Sequence, residues 1–148
     1  MNLQEFVEKN SGKVVRDGQC VALYRQYIQD VWQLPPLEGL GEDGGADGLF
    51  YRYNKDVGPR SRQYLELHQY YAAIQIPKPG DVVIFKASPT NRWGHVGIFV
   101  EMIETKMRIF EQNGIAAMSG RTDGAFLGLW DFDRVLGWLR KREAISGA

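Results

Sequence analysis

The chain has 148 residues, 44% of them hydrophobic and 12% aromatic, and its eighteen basic side chains balance eighteen acidic ones. That length and apolar content suit one compact domain over residues 1–148, while the absence of net charge removes the electrostatic pull toward nucleic acid or an anionic membrane. No apolar run approaches the roughly 20 residues of a membrane span, and MNLQEFVEKNSGK lacks the basic start and apolar stretch of a secretory signal, so a soluble, unprocessed protein is expected.

In chain order, Asn2 followed by Glu5 forms a capping-box pattern and Gly12 a stop, which predicts a short helix over residues 3–10. Cys20, Tyr24, Tyr27 and Val31 recur at helical spacing until Pro35-Pro36, which predicts a helix over 20–33. The glycine-rich acidic run 39–48 reads as an irregular loop. Tyr64, Leu65, His68, Tyr71 and Ala72 share a helical face and predict a second long helix over 62–73, with His68 at the core boundary.

After the Pro77 to Asp81 turn the texture changes to short segments rich in β-branched and aromatic residues, at 82–86, 95–102, 107–113, 126–130 and 135–141. Helices first and a meander of strands afterwards define an α+β fold with helices packed on one face of an antiparallel sheet.

A lone cysteine forms no internal disulfide and no multi-thiolate zinc site, which leaves Cys20 as a buried thiol, an intermolecular bridge or a nucleophile. Its place at a predicted helix start favours the thiolate, because unpaired N–H groups and the positive end of the dipole attract an anion. Free cysteine is also among the most buried residue types, so position alone does not decide. A hairpin folding 95–102 against 107–113 does more: it sets His95 opposite the stretch from Glu111 to Asn113, where residues 111 and 113 point to one face. A thiol needs a base, and the base needs a partner that fixes its tautomer and stabilises its charge. Cys20, His95, Glu111 and Asn113 supply those parts. The Gln19 amide adds a donor for an oxyanion beside the Cys20 backbone N–H, its plain alternative being a helix cap.

Gly18-Gln19-Cys20-Val21, Pro79-Gly80-Asp81-Val82-Val83, Trp93-Gly94-His95-Val96-Gly97, Glu111-Gln112-Asn113 and Leu136-Gly137-Trp138-Leu139-Arg140 resemble, in that order, the CHAP domain, the cysteine, histidine-dependent amidohydrolase/peptidase family. The resemblance spans about residues 10–141. It implies a papain-like fold and cleavage of an amide bond in bacterial peptidoglycan, as in phage endolysins, which stay in the host cytoplasm until released to the wall. It also implies Cys20 as nucleophile, His95 as base, Glu111 as orienting acid, and Asn113 and Gln19 as supporting residues.

Two departures stand out. Ala22 occupies a position that is often acidic in relatives, and the stretch from Lys13 to Arg16 has no oxygen ligand where some relatives bind calcium, which needs six to eight. No cofactor or metal is therefore expected, nor any partner beyond the wall for a chain expected to act as a monomer. Two rival readings are a non-catalytic module that grips wall peptide and a papain-like amidase with another substrate.

Overall fold

The computed structural model describes residues 1–38, 45–55, 58–71, 75–89, 91–112 and 124–143. Helix α1 spans Leu3–Asn10, α2 Cys20–Asp30, α3 Gly48–Tyr51 and α4 Pro59–Tyr64. Strands are β1 Leu65–Gln69, β2 Val82–Phe85, β3 His95–Ile103, β4 Lys106–Glu111, β5 Phe126–Trp130 and β6 Val135–Lys141. They form one antiparallel sheet in the order β1-β6-β2-β3-β4-β5. The architecture is α+β. Among the described residues no helix is long and apolar enough to cross a membrane.

The start of α1 follows its sequence signature, with the Glu5 N–H donating to Asn2 Oδ1 at 2.9 Å and the Asn2 N–H donating to Glu5 Oε1 at 3.1 Å. A reciprocal cap of this kind is worth about 1 kcal/mol. Helix α2 buries Ala22, Leu23, Tyr24, Tyr27 and Ile28. It ends three residues before the predicted Gln33, whose φ of 54° lies in the left-handed region, outside any α-helix.

The middle of the sheet is buried on both faces. On one, Val82, Ile84, Val96, Ile98, Phe110 and Leu139 pack with Phe6, Leu23, Tyr27 and Ile28 of the helices. On the other, Val83, Phe85, Phe99, Met107, Ile109, Val135 and Trp138 form a second cluster. Each large apolar side chain withdrawn from water in this way contributes about 1.5–3 kcal/mol.

The long helix predicted over 62–73 is corrected. The helix stops at Tyr64, and Leu65–Gln69 runs as strand β1 at the sheet edge, with Leu65 opposite Lys141 and Gln69 opposite Gly137. The physical reason is that LELHQ also satisfies a period of two, and the outer edge of β6 offers five residues of ladder that an isolated short helix cannot match. His68 is accordingly a half-exposed strand residue whose Nε2 meets Glu66 Oε1 at 2.8 Å. Residues 72–74 lie outside the described residues, as do 39–44; the predicted loop over 39–48 yields at its end to α3.

Two of the sequence motifs prove to be one structural device. Asp81, buried, accepts from Arg140 Nε at 2.9 Å and Arg140 Nη2 at 2.7 Å, and from the Lys78 N–H at 2.7 Å. The pair locks the turn before β2 to β6, and the Tyr27 hydroxyl donates to Gly80 O at 2.8 Å to join α2 to the same turn. A bidentate guanidinium–carboxylate contact is directional as well as strong, so it fixes the register of the strands that carry the site.

Candidate active site

Residues 11–19 deliver Cys20 to the start of α2. Gly18 has a φ of 88°, a left-handed conformation that costs glycine nothing, and the Gln19 N–H donates to Asp17 Oδ1 at 3.0 Å. Gln19 occupies the N-cap position, and its side chain makes no capping bond to the helix. Cys20 is the first residue of α2 and is half-buried.

His95 begins β3 and is buried, 3% exposed. The β3–β4 register pairs Ile98 with Phe110 and Phe99 with Ile109, so Gly97 falls opposite Glu111 and His95 is its diagonal neighbour on the same face. Glu111, 1% exposed, places Oε1 at 3.0 Å from His95 Nε2. Its second oxygen accepts from Trp130 Nε1 at 2.7 Å. The Trp130 ring stacks on the imidazole, centroids 5.2 Å apart and planes at 20°. Phe85 closes the other contacts, 5.8 Å from the His95 ring and 4.5 Å from that of Trp130.

With Nε2 committed to Glu111, Nδ1 is the ring nitrogen left for the thiol. Nδ1 is buried and no backbone group or carboxylate takes it up, which leaves it to the Cys20 thiol. Such contacts commonly tighten only when substrate binds. Burial pushes the Cys20 thiol up, but hydrogen bonding and charge from His95, with backbone donors at Val96 and Val21, outweigh it and hold the thiol below its ordinary value. Burial pulls the other way on His95, where Cys20 and then Glu111 outweigh it and raise the imidazole to about 10. Between the two values thiolate and imidazolium coexist.

The structure thus brings together Cys20, His95 and Glu111, with Gln19 next to Cys20 in the chain. Asn113 lies outside the described residues. Trp130 and Gln112 were not singled out from the sequence, although alternation along β5 puts Phe126, Gly128 and Trp130 on one face, and a glycine inside a strand marks a close approach. Here a Cβ on Gly128 would collide with Glu111 Oε2.

Asp17 is engaged with the Gln19 N–H, and among the described residues no three His, Cys, Asp or Glu side chains gather at metal-binding spacing. In the stretch from Lys13 to Gln19 Asp17 is the one acidic side chain, too few oxygen ligands for a calcium site of six to eight there.

The CHAP domain family model matches residues 9–113. Three solved structures are similar over 95% of this chain: Ly7917 with the hydrolyzing product of MDP at 16% identity and a TM-score of 0.67, Ly7917 alone at 18% and 0.62, and a wild type endolysin, LysIME-EF1, at 22% and 0.65. The chain spans 63%, 62% and 64% of those chains respectively, less than two thirds of each. No curated protein matches it by sequence.

Proposed function

Because the chain belongs to the CHAP domain family, we propose that it is a peptidoglycan hydrolase of endolysin type, cleaving an amide bond of the wall peptide with Cys20 as nucleophile. The observation that carries the reading is the buried His95, clamped by Glu111 and Trp130 on one side and open to the Cys20 thiol on the other. Enclosing an ionisable pair is costly, and simple binding of a peptide has no use for that cost. A thiol that must be ionised near neutral pH does.

In the proposed reaction His95 Nδ1 holds the proton from Cys20, and the thiolate attacks the amide carbonyl carbon, forming a C–S bond and a tetrahedral oxyanion. The donors proposed for this oxygen are the Cys20 backbone N–H and the Gln19 amide. Collapse breaks the C–N bond, and the departing amine takes the His95 proton. Water then gives a proton to His95 and attacks the thioester, releasing the acid and restoring the thiolate. Glu111 stabilises the imidazolium throughout, and the face of the Trp130 ring adds a cation–π contribution of about 1–2 kcal/mol. No step passes through a metal.

Support for a wall substrate comes from the company the fold keeps: one neighbour is an endolysin, and another was solved with the hydrolyzing product of MDP. The test is mass spectrometry of fragments released from purified peptidoglycan in the presence of EGTA. The expected result is soluble fragments that each carry one new amine or carboxylate at a single type of amide bond. Release of sugar fragments only, or release that stops with EGTA and returns with calcium, would contradict the mechanism proposed.

A further inference from the structure

Gln112 is 1% exposed, and its amide is fully used. Oε1 accepts from the Val15 N–H at 2.6 Å, while Nε2 donates to Val15 O at 3.0 Å and to Gln19 O at 2.9 Å. The first two bonds imitate one rung of a β-ladder, with a side chain in place of a strand. The third grips the N-cap carbonyl of α2, which also accepts from the Ala22 and Leu23 N–H groups of the first turn.

Glu111 ends β4 and Gln112 follows it, and their side chains turn to opposite sides, one to His95 and the other to Val15 and Gln19. One arm holds His95 through Glu111, and the other holds the loop and helix start that carry Cys20. We infer that Gln112 is a positioning residue that sets the nucleophile–base distance, the end of β4 acting as a two-armed bracket between Cys20 and His95. This rests on the proposed roles of those two residues.

The bracket is separable from the fold. Residues 11–13 are tied independently to Ala125, through the Gly12 N–H to Ala125 O at 2.8 Å and the Ala125 N–H to Lys13 O at 2.9 Å. Arg16 staples the loop to α2 by bonds to Gln26 Oε1 at 2.9 Å and Gln29 Oε1 at 3.1 Å. Loss of the Gln112 amide therefore loosens the 15–19 segment without releasing its ends.

The test is the pH dependence of Cys20 alkylation by iodoacetamide in the free protein, which needs no wall substrate and is therefore decided separately from the substrate reading. The charged side chain acting on Cys20 is His95, so the thiolate reports their separation. Gln112→Ala is expected to raise the apparent thiol pKa by about one unit, moving the midpoint of the alkylation profile up by the same amount. Tyr53→Phe, which deletes the buried bond from the Tyr53 hydroxyl to Leu65 O at 2.7 Å far along the chain from Cys20, serves as a destabilised control whose thiol is expected to titrate as wild type. Should Gln112→Ala fail to fold, Gln112→Asn, one methylene too short to reach Val15 and Gln19, reads the same quantity. A folded Gln112 variant with the wild-type thiol pKa, or an equal shift in Tyr53→Phe, overturns the inference.

Discussion

Cys20→Ala and Cys20→Ser are expected to abolish clearing of bacterial wall suspensions while the far-UV circular dichroism stays that of the wild type. The side chain sits at the margin of the helix-side core, half-buried, so removing or replacing its sulfur costs little stability, on the order of 1 kcal/mol. The chemical loss is of another size. Serine presents a hydroxyl that the same imidazole ionises far less readily, and alanine presents nothing, so turnover should fall by about 10⁴-fold or more in both. Turbidity assays beside thermal melts check this; undiminished clearing by folded Cys20→Ala would leave only a binding role for the domain.

Glu111→Gln is expected to lower turnover by about 10²–10⁴-fold and, in addition, to cost about 1–3 kcal/mol of stability. From the sequence, the amide is an isosteric replacement that keeps the hydrogen-bonding shape and the folding stability. The structure revises that expectation, because both carboxylate oxygens accept, one from His95 Nε2 and the other from Trp130 Nε1. A glutamine offers one oxygen and must turn its NH₂ toward a donor. The loss of charge removes the stabilisation of the imidazolium, and the mismatched amide leaves a buried donor unsatisfied. Single-turnover rates and denaturant melts separate the two effects; a variant with wild-type turnover would remove Glu111 from the mechanism.

The parts of the site set by local pattern were readable in the sequence. Helical spacing gave α2 its start, and two apolar strands around Glu104-Thr105 gave the hairpin that sets His95 beside Glu111. Bulk pattern could not choose between helix and strand for residues 65–69, because LELHQ suits both periods and only the free edge of β6 decides. The roles of Gln112 and Trp130 depended on contacts spanning 97 and 19 residues along the chain, for which a single buried amide or indole carries no periodic signal. Asp81 and Arg140 looked like parts of functional motifs and are joined across 59 residues as a structural clamp. Nothing in the structure explains Ala22 where relatives often carry an acid; it is simply buried on α2.

A thiolate–imidazolium pair between Cys20 and His95 underlies the whole mechanism, and the rate of Cys20 alkylation by iodoacetamide from pH 4 to 10 reads that pair. The lowered thiol and raised imidazole mean that the thiolate forms at lower pH than in an ordinary cysteine, so the wild-type rate should reach its plateau earlier in the titration. In His95→Ala the burial that raises the thiol is left unopposed by the ring. Only about 1% of an ordinary thiol with a pKa near 8.5 is ionised at pH 6.5, so this variant should react about 10- to 100-fold more slowly there and recover at high pH. Superimposable profiles in wild type and His95→Ala, both with a midpoint near pH 8.5 or above, would contradict the pair and with it the mechanism built on it.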